Sequence, residues 1–119
     1  MSTRCNIHFN GWGKTQANIY RHSDGYPDGK HGVPAALVAF FQAVEEQCDG
    51  DTRYKDPEYL AAKFLVWQAS QYARDPEKPL GFLSVAVCMR DHGDIEWVYT
   101  VDCDKLDAKR RPTVTWEAA

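Results

Sequence analysis

An α+β domain is what the sequence predicts: an antiparallel sheet of four to five strands in the order ββααββ(β), with two helices packed on one face. Three observations predict it. Two stretches near the N-terminus alternate apolar and polar residues at the two-residue period of a half-buried strand. Two stretches in the middle repeat apolar residues at helical spacing, and two β-branched apolar stretches follow them, separated by Asp91-His92-Gly93-Asp94. Strands grouped before and after a helical block, rather than alternating with helices, favour helices segregated to one face of an antiparallel sheet.

The first strand is expected over Arg4 to Phe9, where Cys5, Ile7 and Phe9 alternate with Arg4, Asn6 and His8. Gly11-Trp12-Gly13-Lys14 carries turn chemistry, and Gln16 to Arg21 alternates again, with Ala17 and Ile19 opposite Asn18 and Tyr20. These two strands form a hairpin whose non-core face carries Arg4, Asn6, His8, Asn18, Tyr20 and His22. Pro34 suits the first turn of a helix, and Leu37, Phe40, Phe41, Val44 and Cys48 recur at its period before Asp49-Gly50 ends it. Helix one therefore spans about Pro34 to Gln47. Asp56-Pro57-Glu58 opens helix two with a capping aspartate and a glutamate favoured by the helix dipole. Its stripe of Leu60, Ala61, Phe64, Leu65, Gln68, Ala69 and Tyr72 reads as core, and Asp75-Pro76 closes it.

Phe82 to Arg90 and Ile95 to Asp102 are expected to pair as a second hairpin. A three-residue loop ending in a left-handed Gly93 puts Leu83, Val85, Val87 and Met89 on one face with Ile95, Trp97, Tyr99 and Val101. Ser84, Ala86, Cys88, Glu96, Val98 and Thr100 cover the other, and its half-apolar character there suits a homodimer contact. Thr113 to Trp116 reads as a short edge strand.

At 119 residues, with 44% hydrophobic and 13% aromatic composition, the chain is one globular domain, residues 1–119, rather than a disordered segment. Its net charge of −3 comes from 14 basic and 17 acidic side chains that are interspersed, which argues against a duplex nucleic-acid partner. The one basic cluster, Lys105, Lys109, Arg110 and Arg111, reads as a solvated edge. No run approaches the roughly 18 apolar residues of a membrane span, and Met1 to Cys5 resembles no signal peptide, so a cytoplasmic protein without a membrane partner is expected. Cys5, Cys48, Cys88 and Cys103 lie far apart without a C-x-x-C pair and read as reduced thiols, and no cofactor is predicted.

Function concentrates in the stretch from Tyr20 to Gly32. Three glycines and a proline fix an irregular backbone there, while two histidines, two aspartates, two tyrosines, Arg21 and Lys30 supply polar chemistry. Three mechanisms compete with a purely structural pair of turns. His22 with Asp24 has the composition of a general base and its orienting carboxylate, without a Gly-flanked nucleophilic serine to serve. His8, His22, His31, Asp24 and Asp28 are imidazole and carboxylate ligands suited to zinc or manganese, at no recognised spacing. Lys30 and His31 fall at the start of helix one, where free N–H groups attract anions, with Arg4 and Arg21 as further cations and Tyr20 or Tyr26 as stacking surfaces.

Ser2-Thr3-Arg4 followed by Tyr20-Arg21-His22-Ser23-Asp24-Gly25-Tyr26-Pro27-Asp28-Gly29 resembles a group of small uncharacterised bacteriophage and prophage proteins over about the first thirty residues. Where these relatives often carry an aromatic residue between the histidine and the aspartate, this chain has Ser23. The resemblance implies a phage-type accessory protein that binds a host factor, host-defence components included.

The expected site is one pocket, between the polar face of the first hairpin and the start of helix one, lined by Arg4, His8, Tyr20, Arg21, His22, Asp24, Tyr26, Lys30 and His31. Each catalytic constellation lacks a required member, whereas tyrosine and arginine anchors suffice for recognition. The expected function is therefore capture of a host protein or a small anionic ligand, with a small metal- or His-dependent hydrolase of phosphate or ester substrates as the alternative.

Overall fold

The computed structural model describes residues 2–119. β1 (Cys5–Gly11) and β2 (Lys14–Arg21) form the first hairpin, with Cys5 opposite Arg21 and Ile7 opposite Ile19. Trp12 and Gly13 take φ values of 53° and 81°, the pair of left-handed residues that matches the right-handed twist of a hairpin. A tryptophan there is strained, and both turn N–H groups donate to the Asp104 carboxylate at 3.0 Å, which holds the turn in place.

α1 (Val33–Gln47) and α2 (Pro57–Tyr72) lie on one face of the sheet, each with proline in its first turn, where a missing N–H costs nothing. α1 buries Val33, Ala36, Leu37, Phe40, Phe41 and Val44, and α2 buries Leu60, Ala61, Phe64 and Gln68. They cover Cys5, Ile7 and Phe9 of β1, with Phe64 between Phe9 (centroids 5.8 Å apart) and Phe40 (5.3 Å, edge-on). Asp56 precedes α2 as expected, but its side chain makes no capping hydrogen bond; its carboxylate lies 3.8 Å from Arg53 instead.

The second half of the chain departs from the expected topology. The sheet is mixed rather than antiparallel, its element order is ββααβββ, and its strands lie side by side as β3-β2-β1-β4-β5. β3 (Val85–Val87) is an edge strand antiparallel to β2, β4 (Trp97–Leu106) runs parallel to β1, and β5 (Pro112–Ala118) closes the other edge antiparallel to β4. The second hairpin does not form: β3 and β4 point the same way, and two strands lie between them. Gly93 accordingly lacks a left-handed conformation. The physical reason is that β1 has a second edge to pair, and satisfying it along six residue pairs of β4 outweighs a local turn. The expected division of faces holds for β4, with Tyr99 beside Ile7 and Val101 beside Phe9 toward the helices and Val98 beside Asn6 on the far side, but Leu83 and Met89 lie outside any strand and, with Val87, are exposed.

Residues 88–96, which join two parallel strands, must cross β2 and β1 on the face that the helices leave open. No helix of the described residues is long and apolar enough to cross a membrane.

Glu45 ties α1 to the far edge of the sheet. Arg111 donates to both carboxylate oxygens at 2.8 Å, and Tyr54 adds a hydrogen bond of 2.6 Å. The Arg111 and Tyr54 hydrogen bonds hold the Glu45 carboxyl down at about 2, from an ordinary value of 4.5. A depressed folded-state pKa means stability that is complete above the unfolded value and lost as pH falls through the folded one. Glu45→Gln is therefore expected to lower the melting temperature at pH 7, with the gap to wild type closing between pH 4.5 and 2 in thermal melts.

Candidate functional site

The loop after β2 is knitted mainly by its backbone. His22 N–H donates to Ser84 O (2.8 Å), Gly25 N–H to Thr3 O (2.9 Å) and Val33 N–H to Tyr26 O (3.0 Å), while the buried Tyr99 hydroxyl donates to Gly25 O at 2.7 Å. Asp24 sits at φ 55° and accepts a 3.3 Å hydrogen bond from Tyr26 Oη. Gly32 is needed for space rather than for its dihedral angle, since a Cβ there would lie 2.5 Å from Asp28 O.

The nine residues expected in one pocket fall on two sides of the sheet. Arg4, His8, Tyr20 and His22 lie on the face away from the helices. Arg21 lies on the helix face, because strand alternation carries it with its partner Cys5, and Lys30 and His31 border the start of α1. Asp24 and Tyr26 belong to the loop between. A single pocket joining these residues is therefore ruled out by the sheet itself.

On the open face the 88–96 crossing adds residues that sequence reasoning had spent on a turn. His8 Nε2 meets Asp91 Oδ1 at 2.6 Å, and Asn18 Nδ2 donates to the same oxygen at 2.9 Å. Asn6, fully buried, donates to Asn18 Oδ1 (2.7 Å) and accepts from His92 N–H (3.1 Å). The His92 ring stacks on Tyr20 with centroids 3.9 Å apart and planes 9° from parallel. Arg4 approaches Asp94 at 3.5 Å, and its backbone carbonyl accepts from Glu96 N–H. Three of the four histidines thus share this face. Asn18, Asp91, His92 and Asp94 were legible only as polar residues at strand or turn positions; nothing local says that residue 91 returns to residue 8.

The hydrogen bonds fix the chemistry of each ring. His22 Nδ1 lies 2.8 Å from Tyr20 Oη and 3.4 Å from Arg4 Nε, and because Arg4 can only donate, Nδ1 is the acceptor and the neutral ring carries its proton on Nε2. Burial raises the Tyr20 phenol, with Asp94 adding to it and Arg4 opposing, so Tyr20 stays a hydroxyl. Burial also works to raise the Asp91 carboxyl, but the His8 and Asn18 hydrogen bonds outweigh it and hold it below its ordinary range. The Cys88 thiol accepts from Asn6 Nδ2 at 3.1 Å and donates to Asn18 O at 3.5 Å, so its partners are amides, not an imidazole. Among the described residues no three histidine, cysteine, aspartate or glutamate side chains converge to hold a metal.

On the helix side Arg21 is buried without a carboxylate partner among the described residues. Its Nη2 donates to Tyr72 Oη at 2.9 Å, its guanidinium lies 5.6 Å from the Tyr72 ring centroid, and its Nη1 has no partner.

No protein-family model, curated protein or solved structure matches this chain.

The His8–Asp91 pair is the main clasp of the crossing segment. Its contribution is present above the ordinary carboxylate range and lost as pH falls through the lowered Asp91 pKa. Asp91→Asn is expected to lower the melting temperature at pH 7 and to match wild type in strong acid, with His92 amide protection falling in hydrogen exchange at neutral pH.

Proposed function

We propose that the protein is a small cytosolic accessory protein that captures a host protein on the sheet face away from the helices, through Arg4, His22 and the His92 ring that Tyr20 holds in place from beneath. The observation that supports this most directly is the internal pairing of that face. His8 with Asp91, Arg4 with Asp94, Tyr20 with His92 and Asn6 with Asn18 hold one another, so the surface is fixed before a partner arrives and loses little side-chain freedom on binding. Arginine, here Arg4, is among the residue types that dominate binding energy. The resemblance to phage and prophage proteins directs the search to host factors, defence components among them.

A second reading, a His-dependent hydrolase of phosphate or ester substrates, rests on the His8–Asp91 pair, which has the form of a base oriented by a carboxylate. It lacks a partner nucleophile, since Cys88 is engaged by Asn6 and Asn18. Self-association is part of the binding reading, through the exposed edges at β3 and β5, and light scattering at high micromolar concentration measures it.

The test is affinity capture from host lysate with wild type, Arg4→Ala and His22→Ala. Stoichiometric recovery of one host protein is expected, weakened at least tenfold by either change, or about 1.4 kcal/mol, while the His22→Ala melting temperature stays near that of wild type. Turnover of a phosphate- or ester-substrate panel that is abolished by His8→Ala overturns it.

A further inference from the structure

α1 and α2 cover the sheet but leave a crease between them, on the side of the molecule opposite the face discussed above. Its larger part, about 640 Å³, is apolar and is lined by Phe40, Ala43, Val44, Tyr59, Val66 and Trp67 among others. Val66 is 72% exposed and Tyr59 53% exposed, on a helix that is otherwise anchored in the core. Lys63 is the one charged residue lining this part, and its ammonium reaches Cys48 Sγ (3.5 Å) and Thr52 O (3.4 Å) rather than a carboxylate.

Past Trp67, which lines both parts, the crease continues into a polar space of about 320 Å³ bordered by Lys30, His31, Gln71 and Tyr72 and by the first turns of α1. Lys30, His31 and the start of α1 give this end its character. α1 begins at Gly32 with no acidic residue in its first turn; Tyr26 O takes the Val33 N–H and Pro34 has none, so its positive end offers the helix dipole and the Ala35 N–H. Gln71 and Tyr72, one helical turn past Gln68, face this space, while Gln68 itself is buried on the core side of α2. No acidic residue lines either part of the crease.

We infer that this crease binds a single-chain amphiphile with an oxyanion head, its tail against Phe40, Val44, Tyr59 and Val66 and its head at Lys30, His31 and the start of α1. The order of the two parts carries the assignment. An apolar trough running into a basic, donor-rich mouth fits a molecule that is apolar along its length and anionic at one end. From Tyr59 to Ser70 the trough follows twelve residues of α2, about 16 Å at the helical rise, the length of a medium acyl chain. The head chemistry is shared by a fatty acid and an alkyl or lysolipid phosphate, and binding distinguishes them.

The full chain is titrated by calorimetry with laurate, dodecyl phosphate and dodecanol below their micellar concentrations. One equivalent of laurate or dodecyl phosphate is expected to bind, the tighter of the two naming the head as carboxylate or phosphate, with dodecanol at least tenfold weaker. Val66→Glu, at a position exposed enough to leave folding intact, is expected to abolish binding, and Lys30→Glu to weaken it about tenfold. Host-protein capture on the opposite face persists in both variants, which separates failure of this site from failure of that one. Equal affinity for dodecanol, unchanged binding in Val66→Glu, or no binding of either anionic amphiphile overturns the assignment. So does light scattering in which Val66→Glu converts a dimer to a monomer without any amphiphile binding, because the crease is then an interface between two copies.

Discussion

β1 is hydrogen-bonded on both sides, antiparallel to β2 and parallel to β4, and the parallel pairing dictates the open face of the molecule. Parallel neighbours cannot be joined by a tight turn, so the chain between β3 and β4 has to travel the width of two strands. The helices already occupy one side. The connection therefore lies across the other, and it carries Cys88, Asp91, His92 and Asp94 onto Asn6, His8, Asn18 and Tyr20. Burial of asparagine side chains on a nominally solvent-facing surface follows from this route, and so does their complete pairing with the segment above them.

The helix side shows the opposite bookkeeping. Arg21 ends β2 at a position whose parity points into the core, and the neighbouring Cys5 thiol is pushed by burial up to about 12, against the lowering influence of Arg21, so it supplies no counter-charge. The guanidinium rests on one tyrosine hydroxyl and one ring face. A buried cation with so little around it is costly relative to a hydrophobic residue of similar size, and strands tolerate it here at their last residue, next to a loop that is itself irregular.

Where local periodicity and final burial coincide, the sequence was readable. The alternation from Arg4 to Arg21, the stripe from Leu37 to Val44 and the stripe from Leu60 to Gln68 each describe a surface that ends in the core, and Val114 and Trp116 mark a strand that forms. The misreading of the second hairpin arose because Asp91-His92-Gly93-Asp94 has turn composition and is flanked by apolar stretches, while its true partners lie more than seventy residues earlier. Exposure confirms the source of the error: Met89 is fully exposed and Val87 nearly so, and their apolar character reflects no burial. A different cause put Arg21 and His22 into one pocket: the local alternation of a strand, by which adjacent residues face opposite ways, was set aside at its last residue.

The placement of β4 has a consequence for how the chain acquires its shape during synthesis. β4 leaves the ribosome after the first hairpin and both helices, which therefore emerge with one edge of β1 still open. That edge is a ready template for any extended chain nearby. The apolar residues of β1 point toward α1 and α2, which follow directly in sequence and cover them early; what waits is a row of backbone groups. Completion of the fold is thus set by the pairing of β1 with the distant β4, and a long sequence separation of this kind slows folding.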